Sequence, residues 1–175
     1  FSINSSGHLK NYNTNSFEKV LINDFIFNSD AKYTNSGFKN NYNFLIKNVN
    51  TEADKSNKYR KARDHQLASI IEYNSSYPLK KKLKNNHTNI LKPIASLKFS
   101  PNDNKDMKNE DNRIDINNIY SLNRLSSKDT VEGGASLTYG TEFSKTNNSD
   151  KEIFGAKLAN ILRVEKNKNL PKNSK

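Results

Sequence analysis

Cysteine and tryptophan are both missing from this chain of 175 residues, and glycine and proline are few, at 6 and 4. The missing thiols exclude a disulfide scaffold, a cysteine-based zinc site and a thiol nucleophile. Only 33% of residues are apolar, against roughly 45–50% in an ordinary soluble domain, a count that includes glycine. A compact globule of this length buries roughly 70% of its unfolded surface, and this composition offers too little apolar surface for that. No apolar run nears the ~18 residues of a membrane helix, so a helical span is excluded. A membrane strand is not excluded, because it needs only about 9–11 residues with every second one apolar.

Chemistry-bearing constellations are missing as well. His8, His65 and His87 are far apart and form no His-x-x-x-His pair. The acidic stretch 102–106 has neither the glycine nor the closing glutamate of a calcium loop. No glycines form a phosphate-binding loop. The expectation is therefore a protein with no catalytic, cofactor-binding or metal site.

Asparagine and lysine are abundant, with 30 and 24 residues, and the net charge is +11. AT-rich codons encode both, so genomic bias accounts for much of the excess. The remainder points to an anionic partner, nucleic acid or lipid phosphate. The densest basic run is Lys80, Lys81, Lys82 and Lys84. The chain opens without Met, shows no signal-peptide pattern and ends in a polar tail at 167–175. It is expected to be an internal segment of a longer protein.

Period-two alternation is the informative pattern. From residue 38 onward, Phe38, Asn40, Tyr42, Phe44 and Ile46 share one face, and Lys39, Asn41, Asn43, Leu45 and Lys47 the other. An apolar stretch at 17–33 precedes it, and Thr34, Asn35, Ser36 and Gly37 supply hairpin-turn chemistry between the two. A polar loop is expected at 48–61. Leu67, Ser69, Ile71 and Tyr73 alternate with Gln66, Ala68, Ile70 and Glu72. A turn-rich, lysine-rich stretch follows at 74–89. Leu91, Pro93, Ala95, Leu97 and Phe99 then oppose Lys92, Ile94, Ser96 and Lys98. Pro93 argues for a strand end, an edge or a bulge. After a loop at 100–119, the clearest strand covers 131–143, with a turn at 146–150 and a return strand at 154–164 that also partly fits helical spacing. Six or seven antiparallel strands of about ten residues, low in apolar content, suit an all-β transmembrane barrel better than a soluble sandwich, because a barrel turns its apolar face to lipid and keeps a polar interior.

One stretch is specific. Asn118, Ser121, Leu122, Asn123, Arg124, Ser126, Asp129, Val131, Glu132, Gly133, Gly134, Leu137, Tyr139 and Gly140 match a pattern close to NLFSLNRFSGYDRVEGGTRLNYG. The segment resembles the LptD (OstA) family of outer-membrane lipopolysaccharide-assembly proteins. Leu91, Lys92 and Pro93 are similar to that family's LEP strand, and 154–171 is similar to its following strand and Leu-Pro exit. Leu125, Ser127, Lys128 and Thr130 depart from the family pattern.

The resemblance implies that 1–175 is part of the large C-terminal barrel of an LptD-like protein. It implies an outer-membrane location in a Gram-negative cell, with no enzymatic step. The implied role is transport of lipopolysaccharide from a periplasmic bridge into the outer leaflet. The implied partners are lipopolysaccharide, outer-membrane lipid, the LptE lipoprotein plug and the periplasmic bridge. Lys39, Asn41 and Asn43 are expected to line a polar lumen, and Lys80, Lys81, Lys82 and Lys84 to meet lipid phosphates. Two other readings are a general porin and, less favoured, a basic nucleic-acid-binding β module. The second would require aromatics and lysines on one face, whereas in 38–46 they fall on opposite faces.

Overall fold

The computed structural model describes residues 1–12, 16–83, 87–111, 113–125, 127–149, 151–172 and 174. Among these there is no helix. The strands are β1 (Ser2–Tyr12), β2 (Ser16–Asn28), β3 (Lys32–Tyr33), β4 (Lys39–Asp54), β5 (Ala62–Ser76), β6 (Leu79–Lys82), β7 (Thr88–Ser100), β8 (Gly134–Thr146) and β9 (Glu152–Arg163). They form one antiparallel sheet in the order β1-β2-β4-β5-β7-β8-β9, with β3 paired to β4 and β6 to β7. Each long strand thus pairs with its chain neighbours, as an up-and-down barrel wall requires. The sheet is open in this structure, with β1 and β9 at its edges.

The register assigns every side chain to a face, since directly opposed residues share one. One face carries Leu21, Phe25, Phe27, Phe44, Ile46, Leu67, Ile71, Leu97, Leu137 and Leu158. Many of these are widely exposed, Leu158 at 73% and Leu67 at 65%. The other face buries polar residues: Lys47, Thr51, Glu72, Ser96, Lys98, Ser136 and Thr138 are each at most 8% exposed. A water-soluble sheet would bury the first set and wet the second. The reversed arrangement is that of a wall with lipid outside and a polar interior. Apolar packing inside is confined to three small clusters.

The fold departs from the sequence reading at four places. β1 was not expected; its face periodicity is weak, and only its pairing with β2 defines it. β4 runs to Asp54, where a polar loop was expected. There Asn48, Asn50 and Glu52 face outward and Val49, Thr51 and Ala53 inward, so the outer face turns polar. Lys19, Arg63 and His65 extend this polar zone on β2 and β5, which therefore project beyond the apolar band. The basic run at 79–82, read as turn, is strand β6. It continues the β5 register along β7, and only the prolines Pro78 and Pro93, which lack an N–H, interrupt the pairing. Pro93 lies mid-strand rather than at an end or edge. Finally, β8 starts at Gly134, not at residue 131. Gly134 has φ +88°, a left-handed conformation that favours glycine, and Val131 and Glu132 are both buried, at 1% and 3% exposure, so no alternation runs through them. The return strand β9 and the 34–37 turn, with Gly37 at φ +88°, are as expected.

Connections differ at the two ends of the sheet. The end holding 55–61 and 101–133 has by far the longest segment. The opposite end has β3 with its turn and the short links 83–87 and 147–151.

Candidate functional site

The segment 101–133 folds back over the inner face instead of extending from the strand ends. A loop of this length costs little more to close than a short one, but burying its backbone demands partners. Side chains of the wall supply them. The Lys47 ammonium donates to the Lys128 carbonyl at 2.8 Å while paired with Asp24 at 2.6 Å. Lys98 donates to the Ser121 carbonyl and pairs with Glu72 at 3.3 Å. Glu72 in turn accepts from Asn43 at 2.7 Å, Asn74 at 3.0 Å and Ser96 at 3.2 Å. Each buried charge thus has an opposite charge and further hydrogen bonds, the condition under which such pairs persist in an interior.

Arg124 is the central fastening. Its guanidinium donates to Thr138 Oγ1 at 2.8 Å, to Ser136 Oγ at 2.7 Å, and through Nε to the Glu132 carboxylate. Arg163 of β9 reaches the other Glu132 oxygen at 3.2 Å. Burial pulls the Arg124 pKa below its ordinary value, and Glu132 opposes that fall. Leu125, 2% exposed, joins Met107, Ile114, Ile119 and Leu170 in the apolar cluster behind it. The tail after β9 closes over the loop: Met107 N–H donates to the Asn169 carbonyl at 2.9 Å and Ile114 N–H to Ser174 Oγ at 2.8 Å.

Most motif residues singled out in the sequence converge on this docked segment. Asn118 closes a turn, accepting from Asp115 N–H and donating to the Arg113 carbonyl. Asn123 bridges to the Thr130 carbonyl at 2.9 Å, and Leu122 packs on the cluster of Leu45, Ile70 and Val131. A Cβ on Gly133 would come within 2.1 Å of the Asn102 carbonyl, and one on Gly140 within 2.5 Å of the Tyr120 hydroxyl. Both glycines therefore leave room for the segment to lie against itself and the wall. Leu137 and Tyr139 are exceptions, standing on the outer face, Tyr139 at 42% exposure. The residues that the motif did not reveal are Lys47, Asp24, Glu72, Lys98 and Arg163. Their signal was a charge on the polar side of an alternating strand, and only the register shows which charge meets which.

Asp129 anchors the loop at its outer end, paired with Lys58 at 3.3 Å and Lys105 at 3.4 Å. Burial alone would raise its pKa, but the Ser127 hydroxyl and the two ammoniums outweigh it and bring the carboxyl to about 2. An unfolded aspartate titrates near 3.9. The depressed value means that this anchor stabilises docking fully above about pH 4 and loses its contribution as pH falls through about 2. Amide-exchange protection factors in 101–133, which divide out the intrinsic pH dependence of exchange, are expected to hold down to pH 4 and to fall between pH 4 and 2, whereas Asp129→Asn should remove that fall. An equal acidic fall in both proteins would refute the assignment.

The predicted basic run lies elsewhere. Lys80, Lys81 and Lys82 are exposed on β6 at the short-turn end, away from the docked segment, and Lys84 falls outside the described residues. Lys39, Asn41 and Asn43 do stand on the inner face. Among the described residues no group of histidine, cysteine or carboxylate side chains is arranged to hold a metal, and no helix is long and apolar enough to cross a membrane.

The sequence model of one protein family, described as LptD, LPS transport system D, matches residues 26–175. No curated protein matches the chain.

Proposed function

The chain belongs to the LptD family of LPS transport proteins, and on that premise we propose that it forms part of the wall of an outer-membrane barrel that passes lipopolysaccharide from a periplasmic bridge into the outer leaflet. The observation that carries this reading is the two-sided wall: a largely apolar outer band, and an inner face that buries paired charges such as Lys47, Glu72 and Lys98 beside small apolar clusters. Lipopolysaccharide is an acylated phosphoglycan, so its transporter needs an apolar boundary for chains and a polar passage for sugars and phosphates. Strands of 12–16 residues in β4, β5, β7, β8 and β9 exceed the roughly 9–11 that cross a bilayer at a tilt. In the full-length protein β1 and β9 would pair with further strands, since an open edge in hydrocarbon leaves backbone groups unsatisfied. The role is transport, with no chemical step. A plug lipoprotein of the LptE kind and a periplasmic bridge are the proposed partners, and nucleic acid is not one.

The test uses the full-length protein. It should sediment with the outer membrane, migrate faster in electrophoresis when unboiled, and on depletion lower the lipopolysaccharide at the cell surface. A chain without a heat-modifiable form, or normal surface lipopolysaccharide after depletion, would overturn the reading.

A further inference from the structure

Of the basic run on β6, only Lys81 points outward. It pairs with Asn89 of β7, which pairs in turn with Lys145 of β8, and that with Phe154 of β9, so the four form one row across the outer face. One pleat repeat deeper the outward row is Leu79, Leu91, Phe143 and Ala156. Leu79, Leu91 and Phe154 are 45%, 40% and 56% exposed, and the Phe143 and Phe154 rings meet at 5.9 Å. Cations thus give way to apolar side chains within two residues of each strand. Among the described residues neither Lys81 nor Lys145 has an ion pair, and no carboxylate takes an outward position in the register of β6, β7, β8 and β9. At the opposite end of the outer face, by contrast, Lys19 and Arg63 share Glu52, at 3.4 and 3.6 Å. Between the two lysines, Asn89 Oδ1 is buried and accepts no hydrogen bond, a state in which few buried acceptors are left. Half of the arrangement recurs on β4. There Asn40, like Asn89 the second residue of its strand, has a buried Oδ1 without a donor and pairs with the outward Lys32.

We infer that this row is a docking site for an anionic phospholipid of the periplasmic leaflet, one whose headgroup carries a hydroxyl. The phosphate lies between the Lys81 and Lys145 ammoniums, the headgroup hydroxyl donates to Asn89 Oδ1, and the acyl chains run over Leu79, Leu91 and Phe143. Adjacent strands are about 4.8 Å apart, so the two lysines stand roughly 10 Å apart across Asn89. Their flexible stems converge on one phosphate, which a compact ammonium meets without fixed geometry. A zwitterionic headgroup brings its own cation to the phosphate and gains less from the two lysines. Outer-membrane barrels keep their short turns on the periplasmic side, and cations on their lipid face are tolerated near the interfaces rather than at the midplane. Both rules put this row among the headgroups of the leaflet that faces the periplasm. The inference rests on the outer-membrane placement proposed above, and it adds a lipid site on the outside of the wall, apart from the path of the transported substrate.

The experiment uses full-length protein in nanodiscs of phosphatidylethanolamine, each variant first checked for the heat-modifiable form. Trace photoactivatable phosphatidylglycerol, phosphatidylethanol (an anionic diester without a hydroxyl) or phosphatidylethanolamine is added, and the labelled peptides are mapped. Phosphatidylglycerol should label 79–91 and 143–156 above phosphatidylethanolamine. A lysine near an anionic lipid surface contributes about fivefold, so Lys81→Gln/Lys145→Gln should lower the labelling about 25-fold, to the phosphatidylethanolamine level. Lys81→Arg/Lys145→Arg, and Lys19→Ala at the other end, should keep it. Asn89→Leu should bring phosphatidylglycerol down to phosphatidylethanol. In native outer membrane a photo-crosslinking residue at position 79 should capture phospholipid. Equal labelling by the glycerol and ethanolamine lipids in the folded parent would overturn the site, as would an undiminished preference in the folded glutamine pair. A folded Asn89→Leu protein that still favours phosphatidylglycerol over phosphatidylethanol would overturn the hydroxyl contact, and lipopolysaccharide at position 79 the leaflet. A parent chain without the heat-modifiable form is the distinguishable case, because it overturns the barrel reading itself.

Discussion

Replacing Arg124 with alanine is expected to release 101–133 from the inner wall while the strands remain paired. The substitution removes three side-chain hydrogen bonds at once and leaves the Ser136 and Thr138 hydroxyls without their partner. Glu132, 3% exposed, keeps only Arg163 on its other oxygen. Breaking a buried pair from one side costs about 3–5 kcal/mol, more than the roughly 1.5–3 kcal/mol that burial of Leu125 supplies. The sheet itself is held by backbone ladders that Arg124 does not enter, so undocking is local. Protease added to whole cells or to purified protein should cut within 101–133 in Arg124→Ala and not in the parent. In the outer-membrane barrel proposed above, large polar antibiotics should then cross through the opened lumen. Arg124→Lys should recover only part of the protection, because an ammonium cannot present the planar fork that spans Glu132, Ser136 and Thr138. A protease-resistant Arg124→Ala protein would show that the apolar cluster, not the guanidinium, holds the segment.

The second large effect belongs to the wall. Glu72→Ala removes the only carboxylate within salt-bridge distance of Lys98 among the described residues and takes away the acceptor of the Asn43 and Asn74 amides and the Ser96 hydroxyl. Lys98 is 4% exposed and cannot move into water, so the cost is again about 3–5 kcal/mol. The expected outcome is a chain that fails to give the heat-modifiable form. Replacing both partners by apolar residues of similar volume, Glu72→Leu with Lys98→Met, should restore much of it, since such pairs are often neutral when removed together. The contrast is the exposed pair Lys19–Glu52, at 56% and 30% side-chain exposure. Lys19→Ala should be nearly silent, because surface pairs contribute about 0–1 kcal/mol. A normal barrel from Glu72→Ala would mean that water reaches Lys98 in the assembled lumen.

The alternation of β7 and β8 was legible because each residue's face depends only on its own strand's pleat. Leu97 and Leu137 faced outward, and Lys98 and Ser136 inward, before any partner strand was known. The motif around Arg124 was visible too, but as a string without a position. Its reading as a strand start at residue 131 failed, because Val131 and Glu132 obey contacts with Ile70, Arg124 and Arg163 rather than the local pleat. The β6 lysines were misread as turn for a related reason. Lys80, Lys81 and Lys82 have little preference for a strand, and the β7 ladder imposes one on them.

What the sequence by itself determined is the two-faced strand pattern, the scarcity of apolar residues and the family motif: together an all-β wall with one apolar and one polar face. These follow from short-range periodicity and composition. Only the tertiary structure decided that the longest connection folds inward, that Arg124, Lys98 and Lys47 fasten it, and that one lysine run alternates between the two faces of the sheet. Those outcomes depend on pairings of residues 6 to 81 positions apart, and which buried charge meets which is settled by register, a property no single strand carries.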